Sequence, residues 1–284
     1  MAKTGNIRPL AGHIGAVVAG IDLRRLDGGT VAALREAWLE HKVLFFPRQE
    51  LSADELVRAA SCFGEVDPPH SGLEHHPDNC AVMIAASRKG HGGGKYNAIW
   101  HSDVTFDEKP PAASMLQAET LPPVGGDTLF TSMEAAFDAL SQRLKTAIEG
   151  LEAFHDGIPN FTPYLLDPGT PDGPRRLDNL KREHAGCVHP VVVRHPETGR
   201  RALFVNRAFT QRILGLPDIE SRGVLNLLIE HCEQATFQVR WSWSRGDVAI
   251  WDNRSTMHYA AFDYGRHDRI MHRVTLKGAR PLAA

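Results

Sequence analysis

The stretch TFQVRWSWSRGDVAIW, residues 236–251, contains the pattern that decides the fold class. Residues 236–243 and 247–251 are rich in β-branched and aromatic side chains, which favour strands. Between them, Ser244, Arg245, Gly246 and Asp247 have the composition of a tight turn. The stretch therefore predicts two short strands connected as a hairpin.

Three further segments have the same strand-like composition. They are residues 188–194, 202–206 and 270–277, and a second turn is predicted at Glu197, Thr198 and Gly199. Many short strands, with helices outside them, predict a mainly β protein with flanking helices. An antiparallel sandwich or jelly roll fits this order better than a doubly wound sheet.

The rest of the chain predicts a mixture of strands, helices and loops. Strands are predicted at residues 14–23, 43–46 and 81–86. Helices are predicted after Thr30, from Ser52 with Glu55 to about Phe63, from Thr131 with Glu134 to about Gly150, and after Pro217. Prolines and glycines interrupt residues 64–98 and 157–187, so we expect loop or lid insertions there, within one domain spanning residues 1–284.

Composition argues against several classes of protein. The chain has 284 residues, of which 42% are hydrophobic and 23% charged, so it can bury a sizeable core. A net charge of -2 gives no electrostatic attraction to nucleic acid or to anionic membranes. The four cysteines form no Cys-x-x-Cys pair, and the first residues lead into no apolar segment. We therefore expect a soluble cytoplasmic protein whose partner is a small molecule.

One of the 15 histidines lies in the segment WHSDVTF, residues 100–106, whose composition predicts a strand. Side chains two apart in a strand share a face, so we expect His101 and Asp103 to converge. An imidazole and a carboxylate are two of the three ligands of the facial site that binds Fe(II) and leaves coordination positions open. A surface His–Asp pair would have the same spacing, so the pattern needs a third ligand.

His258 is the candidate third ligand, although a single histidine is more often packed in a core. Arg269 and Arg273 follow it, and a period of two places both on one face of a strand. If that face points inward, each guanidinium needs an anion, which suggests two anionic small molecules near the metal. If it points outward, both arginines are solvated. Thr128, which follows a Gly-Gly turn, could donate to the same anion as Arg269.

The other histidines are expected to be exposed or to border the site without serving as ligands. They include His75, His76, His91, His155 and His184.

Five motifs follow one another along the chain: WHSDVTF (100–106), GGDTLF (125–130), LFVN (203–206), FQVRW (237–241), and WDNR through RIMHRVT (251–275). Together they closely resemble the taurine dioxygenase family of Fe(II)/2-oxoglutarate-dependent oxygenases. The similarity extends over nearly the whole chain. It implies a double-stranded β-helix, that is, a cupin-like jelly roll.

The resemblance also implies the cofactor site. It makes His101, Asp103 and His258 the Fe(II) ligands, with 2-oxoglutarate and O2 as co-substrates. Thr128 and Arg269 match the positions that bind the distal carboxylate of 2-oxoglutarate.

Three further positions concern the prime substrate. Arg273 matches the residue that pairs with the anionic head of the substrate in the sulfonate and sulfate members. Asn97 matches a polar position on the substrate side. His70 is displaced by one position from the histidine that taurine-specific members carry after Phe-Gly-Glu, here residues 63–65.

The activity that the resemblance implies is hydroxylation of an alkylsulfonate such as taurine, or of an alkyl sulfate ester, with release of succinate and CO2. Three alternatives remain open. They are an aryloxyalkanoate dioxygenase of the same superfamily, a zinc hydrolase with two histidines and one aspartate, and a non-catalytic cupin-like binding module. We also expect a homo-oligomer, either a dimer or a tetramer.

Overall fold

The computed structural model describes residues 5–68, 74–89, 91–92, 98–170 and 172–284. Within these residues the helices are α1 (Gly28–His41), α2 (Ala53–Ser61), α3 (Met133–Ala139), α4 (Gln142–Ile148), α5 (Ile158–Leu165), α6 (Gly173–Glu183) and α7 (Asp218–Cys232), and a 3-10 turn lies at Ala235–Phe237. None of these helices is both long enough and apolar enough to cross a membrane.

The strands outnumber the helices and are short. They are β1 (Asn6–Pro9), β2 (Ala16–Ala19), β3 (Val43–Phe46), β4 (Met83–Arg88), β5 (His91–Gly92), β6 (Ala113–Thr120), β7 (Thr128–Ser132), β8 (Glu152–His155), β9 (Cys187–Pro190), β10 (Val192–Arg194), β11 (Arg201–Leu203), β12 (Thr210–Ile213), β13 (Gln238–Trp241), β14 (Val248–Asp252), β15 (Thr256–Ala260), β16 (Arg269–Leu276) and β17 (Leu282–Ala283).

In the described part of the chain, the strands form one large sheet and three small ones. The large sheet has the order β1-β2-β3-β14-β6-β16-β4-β5, and the small sheet that bears on the site has the order β13-β7-β15. The other two sheets are β12-β8-β9 and β11-β10-β17. Neighbouring strands are antiparallel, except that β2 and β3 are parallel.

The large sheet is buried on both faces along its central strands. Leu44 and Phe46 of β3 pack into a core with α1 and α2, whereas Phe45 points the other way. Phe45 packs with Phe130 of β7 and Trp251 of β14 in a second core between the large sheet and the sheet β13-β7-β15. This double burial explains why β3 is a continuous apolar run rather than an alternating one. The second core forms the floor of the site.

Several sequence-based predictions correspond to observed elements. The capping box of Ser52 and Glu55 is present at the start of α2, and Pro217 immediately precedes α7. β3 has the predicted bounds, and the turn at residues 197–199 connects the antiparallel strands β10 and β11.

The hairpin prediction for residues 236–251 was wrong. The two strands exist as β13 and β14, but β13 pairs with β7, and β14 pairs with β3 and β6. The chain therefore crosses from one sheet to the other at residues 244–247. Every residue of β14 is buried, and its pairing with β3 on one edge and β6 on the other outweighs local hairpin geometry.

The helix predicted from Thr131 to about Gly150 is two helices. Ser132, not Thr131, caps α3, and Ser141 caps a new helix, α4, after the break at Leu140. Glu134 forms an ion pair with Lys42 instead of closing a capping box, with 3.0 Å between Nζ and Oε2. A charged pair at this buried position, where both side chains are at most 7% exposed, takes the glutamate away from the helix terminus.

Residues 157–187 are more regular than their prolines suggest, because they contain α5 and α6. Pro159 and Pro174 lie in the first turns of these helices, where a missing backbone N–H costs nothing. Whether α5 and α6 move as a lid stays a prediction, as does the single-domain organisation of the chain.

Candidate metal centre and its surroundings

Two histidines and one aspartate meet above the second core. One ligand atom each of His101, Asp103 and His258 lies within 4.8 Å of the other two. The Nε2 atoms of His101 and His258 are both 3.9 Å from Oδ1 of Asp103. The structure therefore brings together the three residues that the sequence singled out as metal ligands.

Backbone pairing places the two histidines opposite each other. His101 and His258 form an isolated antiparallel bridge, in which each backbone N–H donates to the other's carbonyl, at 3.0 Å and 2.7 Å. Directly opposed side chains in such a pair lie close together. The imidazole centroids are accordingly 4.2 Å apart.

The segment 100–106 is not the predicted strand. Only His101 pairs in a sheet-like way, and residues 104–107 form a turn in which Val104 has φ of 52°. Ser102 fixes the start of this turn, because its hydroxyl donates to the Thr256 carbonyl at 2.6 Å. A β-branched residue rarely adopts a left-handed conformation, so this strained turn was not foreseeable from strand propensity.

The protonation states of the three groups suit a divalent metal. Nδ1–H of His101 donates to the Ile99 carbonyl at 2.7 Å, which leaves the lone pair of Nε2 for a metal. Burial lowers the pKa of His101 and of His258, so both imidazoles are neutral at pH 7. Burial alone would raise the pKa of Asp103, but Arg273, the two neighbouring imidazoles and the hydrogen bond from Ser114 together outweigh it and hold this pKa well below its usual range.

This donor set fits Fe(II). Two neutral imidazoles and one carboxylate are the ligands of the facial iron sites that keep coordination positions for small molecules. A closed structural zinc site would require a fourth protein ligand, and none lies close enough among the described residues.

The second carboxylate oxygen of Asp103 is held by two donors that come from the large sheet. Ser114 Oγ of β6 donates to Oδ2 at 2.8 Å, and Arg273 Nη2 of β16 forms an ion pair with the same oxygen at 2.8 Å. Ser114 also accepts from Arg273 Nη2 and from Asn253 Nδ2, both at 3.2 Å. Asn253 is itself fixed by the indole N–H of Trp251, at 2.8 Å from Oδ1. Sequence reasoning missed Ser114, since nothing distinguishes it from any other serine in a strand.

Arg273 contacts Asp103 and Ser114 through Nη2 alone. Its Nε is buried and has no hydrogen-bond partner among the residues described. The guanidinium carbon lies 6.0 Å from the centre of the Trp251 ring, which in turn lies 4.9 Å from the His258 ring. A donor thus remains available for an anion beside the three candidate ligands.

Arg269 and Thr128 also come together, as predicted from their types. Arg269 Nη2 donates to Thr128 Oγ1 at 3.4 Å, and Arg269 Nε donates to the Gly126 carbonyl at 2.9 Å. Arg269 is only 9% exposed and has no carboxylate partner within the described parts of the chain. Burial lowers its pKa, although a guanidinium remains charged at any physiological pH. The pair therefore presents an unpaired positive charge and a hydroxyl to an anion.

The two glycines before Thr128 are needed for this approach. Gly125 and Gly126 have φ of 81° and 75°. A Cβ at position 126 would lie 3.1 Å from Cδ of Arg269, and one at position 125 would overlap Oδ1 of Asp263. The turn thus brings the backbone against the arginine in a way that only glycine allows.

Aromatic side chains form an apolar wall beside His101. The Phe209 ring lies 6.0 Å from the His101 imidazole, and it packs against Phe106 at 5.0 Å and Phe161 of α5 at 5.8 Å. We call Phe106, Phe161 and Phe209 the aromatic wall. Their position beside the site is not predictable from the sequence, because aromatic residues in a mainly β chain usually belong to the core.

Two predicted substrate residues, His70 and Asn97, lie outside the described residues. The prediction that the other histidines are exposed or border the site needs one correction. His155 is fully buried, and its Nδ1 is hydrogen-bonded to the Thr105 hydroxyl at 3.0 Å, just behind the turn that follows Asp103. His184 is half-buried and pairs with Asp107 of the same turn.

Comparison with known proteins agrees with this geometry. The chain matches the model of the family described as taurine catabolism dioxygenase TauD, TfdA family over residues 6–275. It is 37% identical to an alkylsulfatase of Acinetobacter baylyi, covering 96% of this chain and 84% of that protein. It is 36% identical to an alpha-ketoglutarate-dependent sulfate ester dioxygenase of Pseudomonas putida, covering 98% of this chain and 91% of that protein.

A solved structure has the same fold. A taurine dioxygenase from Burkholderia xenovorans superposes with a TM-score of 0.80 at 35% identity, covering 98% of this chain and 92% of that one. This similarity confirms the prediction of a mainly β jelly roll with flanking helices. The named relatives also favour a dioxygenase over a zinc hydrolase or a non-catalytic binding module.

Proposed function

Because this chain belongs to the taurine catabolism dioxygenase TauD, TfdA family, it is an Fe(II)- and 2-oxoglutarate-dependent dioxygenase, and we propose that its prime substrate is a small alkyl sulfate ester or alkylsulfonate. Bound iron, 2-oxoglutarate and O2 supply the hydroxylating chemistry, and 2-oxoglutarate leaves as succinate and CO2. The protein contributes ligands, orientation and the exclusion of water.

The side chains have separate roles in this proposal. His101, Asp103 and His258 hold the metal. Arg269 and Thr128 bind the distal carboxylate of 2-oxoglutarate, which satisfies the buried charge of Arg269 with an anion of matching geometry.

Arg273 binds the sulfate or sulfonate group of the prime substrate. The observation that carries this assignment is the buried, unpartnered Nε of Arg273, on a side chain whose Nη2 lies 2.8 Å from Oδ2 of Asp103. When the sulfate or sulfonate group binds this guanidinium, the substrate carbon that bears the group lies next to the metal centre. The aromatic wall then receives the alkyl part, whose transfer from water is favourable by about 0.8 kcal/mol per buried methylene.

The product follows from the position of hydroxylation. Replacing a C–H bond by C–OH at the carbon that bears a sulfate ester gives an unstable intermediate. Its C–O bond to sulfate breaks as the new hydroxyl loses its proton, which yields an aldehyde and sulfate. An alkylsulfonate loses sulfite in the same way through its C–S bond.

A succinate-release screen with Fe(II) tests the proposal across alkyl sulfates, alkylsulfonates and phenoxyacetates. We expect succinate and sulfate in equal amounts from alkyl sulfates of intermediate length. Succinate formation with phenoxyacetates alone would instead identify an aryloxyalkanoate dioxygenase. His101→Ala should abolish both metal binding and succinate formation, and it serves as the blank for the screen.

Arg273→Ala separates substrate binding from co-substrate consumption. At saturating metal, the variant should lose most turnover of the prime substrate while the slow decay of 2-oxoglutarate without substrate continues. Full retention of prime-substrate turnover would remove Arg273 from the substrate site.

We also propose that the enzyme works in the cytoplasm as a homo-oligomer, as a single domain, and without nucleic acid or membrane as a partner. The near-neutral net charge of -2 supports the absence of nucleic acid and anionic membranes as partners. The four free cysteines support a reducing compartment such as the cytoplasm. Light scattering coupled to size-exclusion chromatography measures the oligomeric state, and a mass equal to one chain would contradict the homo-oligomer.

A further inference from the structure

The hydroxyl of Thr128 accepts two hydrogen bonds from groups that can only donate. The indole Nε1 of Trp243 donates to Thr128 Oγ1 at 3.0 Å, and Nη2 of Arg269 donates to the same oxygen at 3.4 Å. Neither an indole N–H nor a guanidinium can accept a hydrogen bond. Both lone pairs of the hydroxyl are therefore occupied, and its hydrogen must point elsewhere.

That hydrogen has no acceptor among the described residues. Thr128 is only 2% exposed, and no carbonyl or carboxylate of the described chain accepts a hydrogen bond from its hydroxyl. A buried donor without an acceptor is costly. An arriving carboxylate removes this cost and at the same time meets the charge of Arg269.

We infer that Trp243 is a positioning residue for 2-oxoglutarate. Its indole N–H fixes the rotation of the Thr128 hydroxyl, so that the O–H bond is directed at the distal carboxylate before the co-substrate binds. The inference rests on the proposed roles of Thr128 and Arg269. It adds a residue that contacts neither the metal ligands nor, by itself, the anion.

The neighbouring Trp241 shows that this contact is specific. Trp241 ends β13 and pairs across the sheet with Thr128, but its ring stacks on Phe45, with centroids 4.4 Å apart and 12° between planes. The indole Nε1 of Trp241 has no hydrogen-bond partner among the residues described. Two tryptophans of one segment thus pack into the same core, and only Trp243 uses its N–H.

The Gly126 backbone, which holds Arg269, supports the inference that the co-substrate site is preorganised. Gly126, whose carbonyl accepts from Arg269 Nε, is itself held by Asp263 Oδ1, which accepts from its N–H at 2.8 Å. The arginine is thereby fixed on one side of the anion position. Without Trp243, the Thr128 hydroxyl would be the one mobile donor of the pair, and preorganisation of donors is what lowers the cost of binding.

The test compares Trp243→Phe with Trp241→Phe. The probe is N-oxalylglycine, an unreactive analogue of 2-oxoglutarate, titrated calorimetrically into protein loaded with Mn(II). Trp243→Phe should raise the dissociation constant about three- to tenfold, the effect of losing one directed hydrogen bond. Trp241→Phe, which removes an unpartnered N–H, should leave it unchanged. In turnover, the larger part of the loss should appear in the KM for 2-oxoglutarate rather than in kcat.

A second pair of variants distinguishes hydrogen bonding from packing. Replacing Trp243 by benzothienylalanine keeps the ring shape and removes only the N–H, so it should reproduce the weakening even if the phenylalanine variant folds poorly. In a Thr128→Val background, Trp243→Phe should have no further effect. An unchanged dissociation constant in the benzothienylalanine protein, or an equal weakening in the Thr128→Val background, would overturn the inference.

Arg269→Gln separates this inference from the proposed function. If that variant binds N-oxalylglycine as tightly as the parent, the co-substrate site itself is misplaced. If Arg269→Gln weakens binding and the Trp243 variants do not, only the positioning role of Trp243 fails.

Discussion

The two carboxylate oxygens of Asp103 have different surroundings, and this difference is important at the scale of single residues. Oδ1 points toward the two imidazoles, while Oδ2 accepts a hydrogen bond from Ser114 and forms an ion pair with Arg273. Hydrogen bonds to the oxygen that does not face the metal fix the rotation of a ligating carboxylate. Arg273 therefore links the proposed substrate anion to a proposed metal ligand.

Ser114→Ala should weaken metal binding about tenfold, at the lower end of the range for residues that support ligands, since Arg273 still holds Oδ2. Calorimetric titration of the apoprotein with Mn(II) measures the change. Ser221→Ala is the matched control, because this buried serine accepts from the Ile213 N–H and forms no hydrogen bond with a candidate ligand. Equal weakening in both variants would point to general loss of stability rather than to orientation of Asp103.

The residues of the site differ in how well a sequence predicts them. The residues whose types are chemically distinctive, such as His101, Asp103 and Arg269, were found from spacing and from resemblance. Ser114 was not, because its role depends on register: it lies opposite Trp251 on one neighbouring strand and Thr275 on the other. Pairing of this kind is a property of the sheet and leaves no signal in the residue itself.

At the scale of elements, prediction succeeded where one local pattern decides the outcome. β16 has its two arginines on one face, as a period of two requires, even though its pairing with β6 shifts between Ile270 and Met271. Prediction failed where tertiary contacts decide the strand pairing, as at residues 244–247, where the chain crosses between two sheets. The strained turn at Val104 is a second failure, and such departures from local preference are concentrated at functional sites.

Helix α5 supplies Phe161 to the aromatic wall, so it should influence the preference for substrate length. In a fully apolar pocket each added methylene contributes about 0.8 kcal/mol of binding free energy, which raises kcat/KM roughly fourfold. Phe161→Ala should flatten this increase across a series of alkyl sulfates, measured by sulfate release. Leu166→Ala, at the end of the same helix and 56% exposed, should keep the parent slope. An unchanged slope in Phe161→Ala would place the alkyl chain away from the aromatic wall.

At the scale of the whole molecule, the site depends on the packing of distant segments. The first and third candidate ligands are separated by more than half of the chain and meet only because β15 pairs with residue 101. The buried polar groups behind that junction, His155 and the turn after Asp103, connect it to the sheet β12-β8-β9. Acid should therefore destabilise the fold and the site together.

His155 and His184 contact the same turn but should respond to pH in opposite ways. Burial lowers the pKa of His155 to about 3, below the value near 6.5 of an unfolded chain. The unfolded state then binds a proton that the folded state excludes, so stability falls as pH drops from about 6.5 to about 3, by up to ~1.4 kcal/mol per pH unit. Asp107 raises the pKa of His184 by accepting its hydrogen bond, so this pair stabilises the fold below pH 6.5 and ceases to do so as pH rises through the higher folded value.

Urea unfolding between pH 4 and pH 8 tests both signs. His155→Gln should make the loss of stability on the acid side shallower than in the parent, because the amide does not titrate. His184→Gln should lower stability at pH 5 and have little effect at pH 8. Parallel pH profiles for the parent and His155→Gln would contradict this prediction, because they would show that the imidazole takes up its proton at the same pH in the folded and the unfolded protein.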